Sequence, residues 1–213
     1  MIILRAIVFL NGDYSKQTCE LPEHGDLIVA VDGGAKYLLD NSIVPHIFVG
    51  DADSIERDTL EKLQTMGCKI YLYPQDKDKI DAQLAIEKAL ELGASQILIR
   101  GWQGERIDMI LALIYVMCKY SDFRIIAKDD NLEMGVIRTE AELEACAGEK
   151  WSILPICGDA TGITLEGFKY PLTDANMFCH EPFGVSNTTL TGTVRISVKK
   201  GMVVYFRWIK EPL

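Results

Sequence analysis

The stretch Gly50-Asp51-Ala52-Asp53-Ser54 carries the clearest chemical possibility in the chain. It follows the apolar run Ile47-Phe48-Val49 and leads into a segment that reads as a helix from Ile55. Along an extended backbone, residues two apart project to the same side, so Asp51 and Asp53 can offer two carboxylates to one point. Gly50 permits a sharp turn where strand gives way to loop. Mg²⁺ is commonly held by one or two carboxylates, with water and substrate phosphate completing the octahedron. A carboxylate pair at a strand's C-terminal end therefore fits a metal–phosphate site, on the edge where open α/β sheets bind ligands. The alternative for the same residues is an acidic turn that caps the helix through Ser54 or Asp53.

Three further stretches have the composition of a phosphate or metal site. Asp32-Gly33-Gly34 directly follows the apolar run Ile28–Val31. Its glycines would let backbone approach a ligand, and the helix expected next would offer free N–H groups to phosphate. An ordinary strand-to-helix turn has the same composition. Asp76-Lys77-Asp78-Lys79-Ile80-Asp81 opens another expected helix, with Asp78 and Asp81 three apart and so on one face. They would add carboxylates to the metal site, whereas Asp76 reads as a first-turn acid that favours the helix dipole. Gly101-Trp102-Gln103-Gly104-Glu105-Arg106-Ile107-Asp108 lies between a strand and a helix. Arg106 is a permanently charged fork suited to phosphate oxygens. Asp108 could hold that fork or approach the metal, and a surface ion pair is the alternative.

The elements needed to position these residues are legible in the hydrophobic pattern. Buried strands are expected at residues 2–10, 27–31, 47–49, 68–73, 96–100 and 123–127, and helices at 33–41, 55–66, 80–92 and 106–119. Strands rich in Ile and Val that alternate with helices imply a parallel sheet. The pattern changes near Glu144–Lys150. Beyond it, strands are expected at 151–157, 189–199 and 202–208, with Lys199-Lys200-Gly201 as a turn. The expected fold is an N-terminal α/β domain, residues 1–145, that carries the nucleotide and metal site. A small all-β sandwich or barrel-like domain, residues 146–213, follows it.

Composition narrows the function further. The 213 residues are 48% hydrophobic and 25% charged, the balance of a globular chain with a substantial core. A net charge of −9 with no basic block argues against nucleic acid or anionic membrane as the main partner. An acidic chain that handles an anionic nucleotide needs metal ions and a few placed cations. The six cysteines and three histidines are scattered without zinc spacing. No apolar run is long enough to span a bilayer, and the apolar start reads as a core strand, so a cytoplasmic location is the expectation.

In this order, the motifs resemble the thiamin pyrophosphokinase family. That family's pattern runs Asp-Gly-Gly, Pro-Asp, Gly-Asp-x-Asp-Ser, Lys-Asp-x-Thr-Asp and Gly-Gly-Arg-x-Asp-His, then a Tyr-Pro-Leu element and a Ser-Asn pair. Here stand Asp32-Gly33-Gly34, Pro45-His46, Gly50 to Ser54, Lys77 to Asp81, Gly104 to Met109, Tyr170-Pro171-Leu172 and Ser186-Asn187. Departures are His46 for Asp, Ile80 for Thr, Glu105 for Gly and Met109 for His, with Thr188 where an acid is common. The resemblance implies transfer of the pyrophosphoryl group of ATP to thiamin, giving thiamin diphosphate and AMP. It implies Mg²⁺ on Asp51, Asp53 and Asp78, with Asp81 and Asp32 nearby, and phosphate on Arg106 oriented by Asp108. It places nucleotide against Asp32, Gly33, Gly34, Gly104 and Arg106, and thiamin against Ser186, Asn187 and Trp208. It also implies a homodimer with the site between subunits and the β-domain covering thiamin. Two other readings share some of these residues: a thiamin or nucleotide-binding protein without turnover, and a haloacid-dehalogenase-type Mg²⁺-dependent phosphatase.

Overall fold

The computed structural model describes residues 4–14, 22–51, 55–181 and 183–210. The chain divides into two compact units, Met1–Leu113 with Phe123–Asp129, and Ile114–Asp122 with Asp130–Leu213. In the first unit the elements run β1 (Leu4–Phe9), β2 (Leu27–Val31), α1 (Gly34–Asp40), β3 (Ile47–Gly50), α2 (Arg57–Thr65) and β4 (Lys69–Leu72). Then come α3 (Asp81–Glu91), β5 (Ala94–Arg100), α4 (Ile107–Lys119) and β6 (Arg124–Lys128). α4 begins in this unit and ends in the other.

The six strands of the first unit form a parallel sheet in the order β6-β5-β1-β2-β3-β4. Strand alternation sends Ile7, Phe9, Ile28, Ala30 and Phe48 to one face, where Ala35 and Leu38 of α1 and Leu63 of α2 cover them. The neighbouring Val8, Val29 and Val31 are buried as well, which is why these strands read as continuous apolar runs. α3 buries Ala82, Leu84, Ala85, Ile86 and Ala89, and its small alanines let it lie close against β1, β2, β3 and β5.

The second unit contains β7 (Leu132–Ile137), β8 (Glu140–Glu144), β9 (Lys150–Pro155), β10 (Ala160–Glu166) and β11 (Leu172–Met177). β12 (Asn187–Thr188), β13 (Thr193–Ser197) and β14 (Val203–Trp208) complete it. The order β12-β9-β14-β7 makes one antiparallel layer and β11-β10-β13-β8 the other. Trp151, Ile153, Val203 and Tyr205 from the first layer pack with Ile163, Leu165, Val194 and Ile196 from the second. Trp151 stacks on Tyr205 with ring centroids 5.4 Å apart and meets Phe168 edge-on at 5.8 Å. This is the expected sandwich.

The division between units falls nearer Asp130 than residue 146. β7 pairs with β14 and β8 with β13, so both strands are bound into the sandwich by backbone hydrogen bonds to C-terminal partners. The run expected as one strand over 189–199 is shortened to β13, because Thr189 and Leu190 instead bond to Glu149 and Gly167 in neighbouring turns.

Candidate active site

β5, β1, β2 and β3 are neighbours and parallel, so their C-terminal ends fall along one edge of the sheet. Leu10-Asn11-Gly12 leave β1, Asp32 leaves β2, Asp51 leaves β3, and the loop Gly101 to Arg106 leaves β5. These segments and the residues that open α3 enclose a cavity of about 480 Å³. The cavity lies where ligands bind in open parallel sheets.

Close packing of the loops fixes the carboxylates. A Cβ on Gly33 would stand 2.0 Å from Asn11 Oδ1, and one on Gly34 would stand 2.2 Å from the Phe9 carbonyl oxygen. Gly34 is thus demanded by the approach of the β1 backbone, whereas a side chain at Gly33 would have to displace the Asn11 amide. α1 has only seven residues, and its amides at Ala35 and Lys36 already donate to the Asp32 and Gly33 carbonyls. Asp32 adopts a left-handed backbone (φ 47°), which Asp tolerates better than most residues, and its amide donates to Val49 at 3.2 Å. Gly50 presses on the same carboxylate: a Cβ there would lie 2.4 Å from Asp32 Oδ1. By contrast, a Cβ on Gly104 would meet nothing within 4 Å. Gly104 is not required by the protein's own packing, and it leaves backbone open at the cavity.

Cavity charge is mixed. Asp32, Asp51, Asp81 and Glu105 face Lys77, Lys79 and Arg106, four carboxylates against three cations. Lys77 Nζ pairs with Asp81 Oδ1 at 2.8 Å, with side chains 14% and 28% exposed. Lys79 pairs with Glu87 at 2.8 Å. Arg106 holds Asp108 through two bonds, Nε to Oδ1 at 2.9 Å and Nη2 to Oδ2 at 2.6 Å. The Arg106 fork pulls the Asp108 carboxyl below its ordinary range, and Asp108 raises the guanidinium in turn. Both side chains are well exposed, so the pair contributes orientation more than stability.

Of the residues expected at the metal, Asp51 lines the cavity, together with Asp32 and Asp81. Asp78 is exposed and does not line it. Asp53 lies outside the described residues. The oxygen-rich donor set fits a hard divalent cation such as Mg²⁺ and contains no cysteine or histidine. Lys77, Asn11 and Trp102, which carry no assigned role in the sequence motifs, also line the cavity. Trp102 is 6% exposed, and its indole Nε1–H has no hydrogen-bond partner among the described residues. The Asn11-Gly12 turn signal after an apolar strand was the available clue to the first loop, and the repeated Lys beside Asp78 was the clue to Lys77.

The residues expected at thiamin lie in the second unit. Ser186 is exposed with a left-handed backbone (φ 59°), and its amide donates to Ser152 Oγ at 3.3 Å. Asn187 is buried and its amide is engaged in both directions with Tyr170. Nδ2 donates to the Tyr170 carbonyl at 2.8 Å, while Oδ1 accepts from the amides of Tyr170 at 3.1 Å and Thr188 at 2.9 Å. The side chain thereby clamps the Tyr170-Pro171-Leu172 turn. Trp208 is half-buried at the end of β14, opposite Lys150, which in turn stands opposite Thr188. These three share a sheet face, with Trp208 and Thr188 roughly 10 Å apart across two strand spacings. Arg207, Trp151 and Asn187 occupy the other face, where Arg207 forms a bidentate pair with Glu149, both bonds 2.9 Å.

Comparison with known proteins gives two family matches. Residues 18–127 match "Thiamin pyrophosphokinase, catalytic domain" and residues 136–203 match "Thiamin pyrophosphokinase, vitamin B1 binding domain". The chain is 30% identical over 186 residues to thiamine pyrophosphokinase of Bacillus subtilis, covering 85% of this chain and 86% of that protein. It is 27% identical to thiamine pyrophosphokinase 1 of Arabidopsis thaliana, covering 91% and 82%. The crystal structure of the Bacillus subtilis enzyme superposes with a TM-score of 0.87 at 25% identity, covering 97% of this chain and 100% of that one. Yeast thiamin pyrophosphokinase shares the fold, with a TM-score of 0.73 at 16% identity over 98% of this chain and 87% of that one.

Proposed function

The chain belongs to the thiamin pyrophosphokinase family and is a diphosphotransferase, and we propose that the cavity at its parallel-sheet edge is where ATP yields its pyrophosphoryl group to thiamin. The observation that carries this reading is the convergence of Asp32, Asp51, Asp81, Lys77 and Arg106 on one cavity from separate stretches of sequence. In the reaction the thiamin hydroxyl oxygen bonds to the β-phosphorus of ATP, and the bond between that phosphorus and the α–β bridging oxygen breaks. AMP leaves, and the hydroxyl proton passes to a carboxylate or water.

The residues have separable tasks in this reading. Arg106, aimed by Asp108, and Lys77, steadied by Asp81, meet phosphate oxygens. The Trp102 indole N–H, buried and unpartnered, suits an acceptor atom of the nucleotide. Gly104 leaves room for backbone to approach it. Asp51 would hold Mg²⁺, flanked in the cavity by Asp32 and Asp81. Asp53 and Asp78 are added on the family motif alone, and Asp78, exposed beside the cavity, would have to turn towards the ion. When bound, Mg²⁺ neutralises polyphosphate charge and polarises the phosphorus for attack. Ser186 and Trp208 are the side chains we assign to thiamin, with Trp208 offering an aromatic face to a cationic ring. Asn187 holds the turn beside them.

The reading includes a homodimer. In the first unit α4 exposes Ile107 (75%) and Leu111 (47%), four apart and therefore on one helix face. An apolar pair of this kind suits a second copy of the chain. A Leu111→Glu variant that stays dimeric by light scattering would remove this support. We also assign the protein to the cytoplasm, in keeping with the free thiols of Cys68, Cys118, Cys146, Cys157 and Cys179.

The deciding experiment measures AMP formed from ATP and Mg²⁺ by purified protein, with and without thiamin. Thiamin-dependent AMP is expected. Saturable thiamin binding without AMP would mean a binding protein on the same scaffold, and phosphate release from a monoester without thiamin would mean a phosphatase.

A further inference from the structure

Asp159, Cys179 and His180 form a separate cluster in the second unit, with one ligand atom from each lying within 4.8 Å of the others. The fold explains why they meet. Asp159 immediately precedes β10, Cys179 and His180 follow β11, and the two strands pair antiparallel with Ala160 opposite Met177. The three side chains thus gather at the open end of the hairpin, away from the turn at residues 167–171. The Cys179 amide donates to Asp159 Oδ1 at 2.9 Å and fixes the carboxylate beside the thiol. Glu181 stands 3.8 Å from His180 Nε2, beyond hydrogen-bond distance but near enough to add negative charge beside the imidazole. All three residues are exposed, so an ion can reach them.

We propose that Asp159, Cys179 and His180 bind one borderline-soft divalent cation, Zn²⁺ in the first instance, which clips the open end of the β10–β11 hairpin. A thiolate, an imidazole and a carboxylate form a set that Zn²⁺ accepts readily and Mg²⁺ does not. A tetrahedral ion draws its ligand atoms to roughly 3.3–3.8 Å from one another, as the Zn–S and Zn–N lengths require. Rotation of exposed side chains supplies that movement. Water takes the fourth position. On binding, the Cys179 thiol releases its proton to solvent and its sulfur becomes the ligand. The donors differ from those at the sheet-edge cavity, where oxygen dominates, so the two sites can be separated by chemistry.

The test titrates Co²⁺ into the metal-free full chain in excess Mg²⁺ and follows thiolate-to-cobalt charge-transfer absorption. The proposal expects absorption that saturates at one equivalent per chain and is displaced by Zn²⁺. It expects the band to vanish in Cys179→Ser and to weaken strongly in His180→Ala and Asp159→Asn, with circular dichroism unchanged. It further expects Zn²⁺ to raise the thermal midpoint of the wild type but not of His180→Ala. No charge-transfer band, or one that persists in Cys179→Ser, overturns the site. A band of unchanged affinity in both His180→Ala and Asp159→Asn reduces it to a lone thiolate and overturns it equally. A midpoint indifferent to Zn²⁺ overturns the clip. If Cys179→Ser misfolds, the exposed His180 variant still decides.

Discussion

Replacing Asn187 by alanine separates a ligand group from a clamp. The side chain is 6% exposed and makes three bonds, to both backbone groups of Tyr170 and to the Thr188 amide, at 2.8–3.1 Å. Each is worth about 1 kcal/mol net, and the Tyr170 groups lose their partner in a partly buried place, so the cost is about 2–3 kcal/mol. For a chain of this size, 1 kcal/mol moves the thermal midpoint by about 2–4 °C, which gives a fall of about 4–12 °C. The turn does not come free, because Lys169 still donates to the Thr188 carbonyl at 2.7 Å. The expected outcome is therefore a lower midpoint in calorimetry and a raised KM for thiamin, with kcat at saturation largely kept. Asn187→Asp keeps the acceptor but sets a carboxylate oxygen against the Tyr170 carbonyl, and it should be at least as costly. An unchanged midpoint together with lost thiamin binding would refute the clamp and return the amide to direct contact with substrate.

Four other perturbations follow from the same geometry. Asp51→Asn and Asp53→Asn should abolish AMP formation while circular dichroism stays that of the wild type; wild-type rates in both would sink the Mg²⁺ assignment. Gly50→Ala puts a methyl 2.4 Å from Asp32 Oδ1 and 2.8 Å from the ring of the fully buried Phe48. It should cost about 1–3 kcal/mol by denaturation and depress kcat more than stability alone explains. Ile80→Thr supplies a side-chain cap where α3 has none, at an extended residue (φ −71°, ψ 153°), and should raise stability by about 0.5–1 kcal/mol in thermal unfolding. Asp26 accepts from Arg5 at 2.7 and 2.8 Å, and that pairing holds its carboxyl below the ordinary value. The unfolded carboxyl binds its proton first, at about pH 3.9, so this stabilisation is full above that pH and is lost as pH falls through the lower folded value. The acid limb of an unfolding curve should flatten in Asp26→Asn.

The parallel sheet was legible because its strands are buried on both faces and therefore read as unbroken apolar runs, as Ile28–Val31 and Ile47–Val49 do. The ends of α2 and α3 were legible because glycine, the residue that best tolerates a left-handed backbone, follows each: Gly67 at φ 85° and Gly93 at φ 92°. The sandwich was harder to read. β7 carries Glu133 and Gly135 inside a buried strand, a combination that looks like loop in sequence. In the fold Glu133 accepts from Tyr205 at 3.0 Å and faces Arg207 at 3.7 Å, so its burial depends on residues about seventy positions away. β10 and β11 contain Gly162, Asp174 and Asn176 for the same reason: pairing partners, not local pattern, hold them extended. The site shows the same divide. Carboxylates in short motifs stood out, whereas Lys77, Asn11 and Trp102 acquire meaning only when four strand ends are brought together.

The charge of the cavity connects these readings. With four carboxylates facing three cations in a chain of net charge −9, a nucleotide polyphosphate meets repulsion unless divalent cations accompany it. The cations present are already paired, Lys77 with Asp81, Lys79 with Glu87 and Arg106 with Asp108, so an incoming phosphate must compete with a carboxylate for each. A divalent ion held at Asp51, as proposed, would add positive charge to the cavity and would compete with Lys77 for Asp81, the one partner carboxylate that lines the cavity, leaving Lys77 to phosphate. Glu105, where the family usually has glycine, is the fourth of those carboxylates and supplies the excess of one, and as an exposed residue it is screened by solvent and salt. Met109 and Ile80 change shape at the cavity without changing its charge. The substituted positions thus leave the three ion pairs of the cavity standing, and dependence on divalent cation should be steeper here than in a cavity whose lysines and arginine are unpaired.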